Sequence, residues 1–242
     1  QKVGVAVADL FTGMYATVAI LAALRHAERT GEGQHVDAAL LDSQVAMLAN
    51  MGANYLVGGK IPGRAGNAHQ NIVPYQVFEV APAADGHRDH LILAVGNDGQ
   101  YAKFCAVAGH PELATDPRYV RNQDRVRNRA ELVPLLQDIM RTRTKAAWLA
   151  ALEQAKVPCG AINNIAEVFD DPQVRERGMV TTWNHPVNPE LHLVASPIRL
   201  SATPVRTDRP PPLLGEQTDE VLRTLLGYSE ARIAALREGG VI

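Results

Sequence analysis

Cysteine is nearly absent from this sequence: Cys105 and Cys159 are the only two among 242 residues. One possible bridge cannot be the framework of a disulfide-stapled secreted scaffold, so a reducing, cytoplasmic compartment is expected. An excess of one charge is missing as well. The 24 Lys and Arg stand against 26 Asp and Glu, a formal net charge of −2. That lacks the basic surplus a phosphate backbone demands, and nucleic acid is not expected as a partner. The longest apolar stretch near the start, Met14–Leu24, has 11 residues, short of the roughly 20 that span a bilayer. Residues 1–5 do not begin the pattern of a charged leader followed by an apolar run and a small-residue cleavage site, so neither a signal peptide nor a membrane partner is expected. The sequence also lacks an initiator methionine, and a chain opening directly into a strand-like segment reads as the downstream part of a longer one.

What is present is ordinary globular composition, 46% hydrophobic and 21% charged, which excludes disordered, collagenous and coiled-coil chains. At a prior of roughly 150 residues per domain, the length makes one large or two ordinary domains. The β-branched run Val3–Val7 predicts a strand, and Asp9 and Thr12 offer caps for a helix running to Leu24. Gly31 and Gly33 end that helix, His35–Leu40 predicts a second strand, and a further helix is expected to about Val57. The pattern is α/β. Glycines 58, 59, 63 and 66 then mark a loop with unusual backbone angles. Tyr75–Val80 and Leu91–Val95 predict a hairpin around the polar insert 85–90. Helices are expected over Gln100–Val107, Arg129–Met140 and Lys145–Gln154, an extended piece over 157–162, strands within Val187–Ser201, and a last helix from about Thr218 after the prolines at 204 and 210–212. Residues 1–75 are assigned to a large α/β domain, 76–185 to a smaller α+β domain, and 186–242 to a segment returning to the large one.

Few residues offer chemistry. A carboxylate where a strand meets a helix, as at Asp9, lies near unpaired backbone N–H groups and the positive end of the helix dipole. Such a group can attack an activated acyl carbon, with the N–H groups receiving the oxyanion. On spacing alone an N-cap is the simpler reading. Lys60 and Arg64 in the glycine-rich loop could approach phosphates, but neither GxxxxGK[ST] nor a strand-borne GxGxxG is present, and a surface connection explains the loop as well. His87 and His90, flanked by Asp85 and Asp89, lack a second ligand pair, and no metal site is expected. Cys105 and Cys159 read as small packed residues, and the run 118–129, despite its five arginines, as a solvated connection and helix start. No GxSxG elbow occurs.

The run Gly4-Val5-Ala6-Val7-Ala8-Asp9-Leu10-Phe11-Thr12-Gly13-Met14 resembles the family III CoA-transferases, and four later motifs agree in order. They are Thr30-Gly31-Glu32-Gly33-Gln34, Gly66-Asn67 before Ile72-Val73-Pro74-Tyr75, Val157-Pro158-Cys159-Gly160, and Pro212-Leu213-Leu214-Gly215-Glu216-Gln217 leading to Leu222. The resemblance implies Asp9 as the nucleophile of a CoA transfer that passes through an aspartyl anhydride and an aspartyl-CoA thioester. It implies Leu40, Gly66, Asn67, Ala68, His69 and Gln70 as substrate-binding residues, coenzyme A as a substrate, and no cofactor or metal. It also implies a homodimer of interlocked subunits, each with an upstream nucleotide-fold region that this sequence lacks. His69, Gln70 and Asn71 stand where formyl-CoA transferases have consecutive glycines, a form closer to members that handle dicarboxylic acyl groups such as succinyl-CoA. Two rival readings remain. An α-methylacyl-CoA racemase shares the fold but needs two groups flanking the α-carbon, and this chain supplies one. An inactive fragment or assembly partner follows from the missing upstream half.

Overall fold

The computed structural model describes residues 4–242. They divide into two compact units, the first ending at Ile162 and the second spanning Asn163–Ile242.

The first unit opens with helices: α1 (Val7–Thr30), α2 (Leu40–Ala46) and α3 (Ala49–Leu56). Val3 lies outside the described residues, and Gly4–Ala6 form no strand; Val7, counted as the end of that strand, starts α1 instead. His35–Ala39 form no strand with the described residues, and Leu40 already belongs to α2. A β-branched run is only a candidate strand until a partner strand takes its hydrogen bonds, and none is offered here. Thr12 is not a cap either. Its hydroxyl donates to the Ala8 carbonyl at 2.7 Å inside the helix, while Ala6 holds the cap position. Gly31, at φ +78°, ends α1 by donating its N–H to the Ala27 carbonyl. No residue of α1 is buried. By length and composition alone α1 could cross a membrane, which the 11-residue run hid because Asp9, Thr12 and Gly13 interrupt the apolar pattern without ending the helix.

The core lies further along the chain. β1 (Tyr75–Glu79) and β2 (His90–Ala94) form the expected hairpin, with Phe78 opposite Leu91 and Tyr75 opposite Ala94, and β3 (Cys159–Ala161) adds antiparallel to β2. Around the sheet come α4 (Asp98–Ala108), α5 (Asn122–Arg127), α6 (Arg129–Met140) and α7 (Lys145–Gln154). Phe78, Leu91 and Leu93 pack with Tyr101 and Phe104 of α4, Leu132 and Leu136 of α6, and Trp148 and Leu152 of α7, all fully or almost fully buried. The helical spacing of those apolar residues makes one face per helix, and burying it against the sheet is what holds the unit together. Asn97 and Thr144 cap α4 and α7 through their side-chain oxygens. Cys105 is a buried core residue, as expected.

The second unit holds the short helices α8 (Ile165–Asp170) and α9 (Pro172–Glu176), the hairpin β4 (Val180–Trp183) with β5 (Leu191–Val194), and α10 (Thr218–Thr224) and α11 (Glu230–Glu238). Asn164 and Glu167 close a capping box on α8. Of its residues only Ile233 is buried. The described strands are thus all antiparallel, in a mixed α/β chain.

Candidate active site

Asp9 is the third residue of α1 and is exposed. The first i→i−4 bond of the helix runs from the Leu10 N–H to the Ala6 carbonyl. The N–H groups of Ala8 and Asp9 therefore have no acceptor among the described residues, and the Asp9 carboxylate has no hydrogen-bond or ion-pair partner there. Such a turn sets a carboxylate that can attack an acyl carbon beside N–H donors that can receive an oxyanion. Leu40 begins α2 and is exposed. Beside it a cavity of about 300 Å³ is lined by Tyr15 and Ala19 of α1 and by Asp37, Asp42 and Ser43.

Gly66–Asn71 is a shaped loop between α3 and β1. Gly66 takes φ +62°, the region glycine alone enters freely, and the Ala68 N–H turns back to the Ala65 carbonyl. Asn67 Oδ1 accepts from the Val77 N–H at 3.0 Å, so its side chain covers the free edge of β1. His69 stacks on Tyr75, ring centroids 5.3 Å apart, donates its backbone N–H to the Tyr75 carbonyl, and accepts the Asn71 N–H on Nδ1 at 3.0 Å. That last bond leaves Nε2 to carry the proton of the neutral ring. Gln70 Nε2 donates to the Gly63 carbonyl at 3.0 Å, and the amides of Asn54 and Asn71 pair reciprocally at 3.2 and 3.0 Å. A cleft of about 790 Å³ opens here, lined by Asn54, Val57, Lys60, Ile61, Gln70 and Asn71 among others. The structure thus gathers Gly66–Gln70 into one feature. Asp9 and Leu40 stand on other elements, and no hydrogen bond joins Asp9 to this loop.

The loop is fastened from a segment expected to be solvated. Arg125 is completely buried: Nε donates to the Val73 carbonyl at 2.6 Å, Nη1 to the carbonyls of Tyr119 and Val120, and Nη2 to Asp98 Oδ1 at 2.8 Å, with the guanidinium 4.3 Å above the Tyr101 ring. Asn122 gives Nδ2 to the Asn71 carbonyl and takes the Val73 N–H on Oδ1. Arg129 Nη2 donates to the carbonyls of His69 at 2.6 Å and Gln70 at 2.9 Å. The solvated reading of 118–129 is therefore corrected for these three residues. Flexible polar backbone is ordered by spending charged donors on it, which a count of arginines cannot reveal.

The family model for CoA-transferase family III matches residues 1–218. The chain belongs to this family. It is 48% identical over 225 residues to a succinate–glutarate CoA-transferase of Agrobacterium fabrum, covering 93% of this chain and 55% of that protein. It is 39% identical over 239 residues to a human succinyl-CoA:glutarate CoA-transferase, covering 99% and 53%. Among solved structures it resembles a CaiB/BaiF family protein from Brucella suis, with 43% identity, a TM-score of 0.73, and coverage of 93% of this chain and 57% of that one. The chain spans about half the length of the relatives it matches.

For a member of family III, three loop-holding residues escaped sequence reasoning. No local pattern marks them: Asn122 and Arg125 lie on α5, Arg129 begins α6, and their backbone partners at Asn71, Val73 and His69 are 51, 52 and 60 residues away. The remaining candidates are peripheral. His87 bonds Asp85 within the hairpin turn, while His90 sits at the start of β2 rather than in the turn. Burial pushes the Cys105 thiol up to about 11 and raises that of Cys159 as well, so both stay protonated and weakly nucleophilic at neutral pH.

Proposed function

We propose that this chain carries the nucleophile of a CoA-transferase that moves CoA from succinyl-CoA to a dicarboxylic acid such as glutarate. The observation that carries the reading is Asp9: an exposed carboxylate in the first turn of a helix, with no partner among the described residues and beside the Ala8 and Asp9 N–H groups that have no acceptor there, within the span that matches the family. An Asp9 oxygen attacks the thioester carbonyl, the C–S bond breaks, and CoA leaves as thiolate with the bonding pair, giving a mixed anhydride. The thiolate then attacks the aspartyl carbonyl of that anhydride and expels succinate, giving an aspartyl-CoA thioester. The acceptor carboxylate reverses both steps, forming its own anhydride and then its CoA thioester while Asp9 is freed. No proton is transferred overall, so one nucleophile and oxyanion donors suffice.

The intermediates survive only where water is kept out. In this reading Gly66–Gln70 covers the acyl group, and the fastening of its backbone by Arg125, Asn122 and Arg129 supports that role. The names of the similar proteins support succinyl and glutaryl groups as cargo.

The test is chemical trapping in the native polypeptide that carries this sequence. After incubation with succinyl-CoA, hydroxylamine should leave a hydroxamate on Asp9, and Asp9→Ala should abolish it with a loss of transfer of about 10³-fold or more. Absence of the adduct with several acyl-CoA donors, together with solvent deuterium entering the acyl α-position, would replace this reading with racemisation.

A further inference from the structure

Arg129 stands apart from the other cations that hold the loop. Arg125 is neutralised by Asp98, whereas Arg129 has no carboxylate partner among the described residues, and its Nε is buried without an acceptor. Its hydrogen bonds to protein go to the carbonyls of His69 and Gln70. A carbonyl and the N–H that follows it lie in one peptide plane and point opposite ways. The guanidinium on the His69 carbonyl therefore turns the Gln70 N–H away from α6. That N–H meets no acceptor among the described residues, whereas the next one, of Asn71, is consumed by His69 Nδ1. A charged donor on the carbonyl also polarises the peptide, making its N–H the better donor. Gln70 and Asn71 line the 790 Å³ cleft, so the locked peptide lies at its wall.

From this we infer that Arg129 is a positioning residue: it locks the His69–Gln70 peptide so that the loop presents the Gln70 N–H to the acyl oxygen and keeps water from the anhydride. The inference rests on the proposed function. If the loop is loosened, water adds its oxygen to the acyl carbon, the acyl–Asp9 bond breaks, and free acid and free Asp9 carboxylate result with the activation lost. Loosening should therefore show as hydrolysis as well as slowness.

The experiment compares wild type, Arg129→Lys and Arg129→Ala in the native polypeptide, with succinyl-CoA as donor and glutarate as acceptor. Arg129→Ala should lower kcat by about 100-fold, the scale of a small misplacement, with KM for succinyl-CoA little changed and a larger share of turnovers ending in hydrolysis. Millimolar guanidinium should restore part of the rate. Arg129→Lys, a point charge in place of a fork, should fall between the two. Wild-type kcat and partition in Arg129→Ala would overturn the inference. So would a loss of activity that follows loss of folded protein by circular dichroism and that neither lysine nor guanidinium repairs. A wild-type protein forming no Asp9 adduct and moving no CoA would instead overturn the proposed function, and this inference with it.

Discussion

Taking a guanidinium out of water costs several kcal/mol, and the cost is recovered only if every donor finds a partner. Arg125 comes close to that condition: four of its five N–H donors are taken by Val73, Tyr119, Val120 and Asp98, each of its three nitrogens has a partner, and Tyr101 lies beneath its face. It joins the segment that ends the loop to α4 and to the turn before α5. Replacing it removes donors from carbonyls that have little access to water. Arg125→Met should therefore cost about 3–5 kcal/mol in denaturant titration. Arg125→Lys should recover little of it, because an ammonium on a single stem cannot serve carbonyls on opposite sides. A lysine variant within about 1 kcal/mol of wild type, the worth of one ordinary hydrogen bond, would show that the fork is not what matters. At this scale the sequence was legible where chemistry is local. The glycine-marked loop takes a positive φ at Gly66, and Cys105 is a packed core residue, both as read. Arg125 and Arg129 were not legible, because their partners lie 52 and 60 residues away at Val73 and His69, and the bonds run to backbone, which leaves no mark on residue type.

Elements are tied together by fewer, more exposed charges, and one of these makes a pH prediction. Asp89, nearly buried before β2, takes the Lys145 ammonium at 2.8 Å and the His90 N–H at 2.9 Å, which pins the hairpin to the first turn of α7. Burial works to raise the pKa of the carboxyl, but those two hydrogen bonds outweigh it and hold the value below the usual carboxylate range. The folded state therefore binds this proton less readily than the unfolded chain, whose aspartate titrates near about 3.9. The contribution is complete above that pH and is lost as pH falls through the lower folded-state value. Glu79, held down by Arg141, adds in the same direction. Asp89→Asn should thus be less stable than wild type at pH 7, and the difference should shrink as pH drops below about 4. A difference that stays constant with pH in paired urea titrations would assign the effect to packing. Elements whose periodicity was unambiguous came out as read: Arg129–Met140 and Lys145–Gln154 are helices with those ends, and the hairpin has the expected strands. Neither of the two strands read before residue 41 is found among the described residues, because a strand is completed by its neighbour and propensity alone does not supply one.

On the scale of the whole molecule, burial is distributed very unevenly. The core cluster runs from Val73 to Val157, yet Leu10, Met14, Val18 and Leu21 of α1 are all more than half exposed, as are Leu40 and Leu41 of α2. A helix apolar on most of its circumference is ordinarily a covered one, and the relatives this chain matches are about twice as long. Within these 242 residues α1 draws little from packing, and a single helix without a buried face is marginal in water. Local opening should then cost far less in α1 than in β2. Hydrogen exchange on the isolated chain, read at dilutions where scattering shows no self-association, should find the amides of Met14–Leu24 exchanging near unprotected rates. Those of Leu91 and Leu93 should be slowed by about 10³-fold or more, as befits a cooperative core. Dye binding to apolar surface should be strong in the same sample. Equal protection of α1 and β2 in the monomer would mean that the apolar face of α1 is covered from within the chain, and the arrangement of the first helices described above would have to be abandoned.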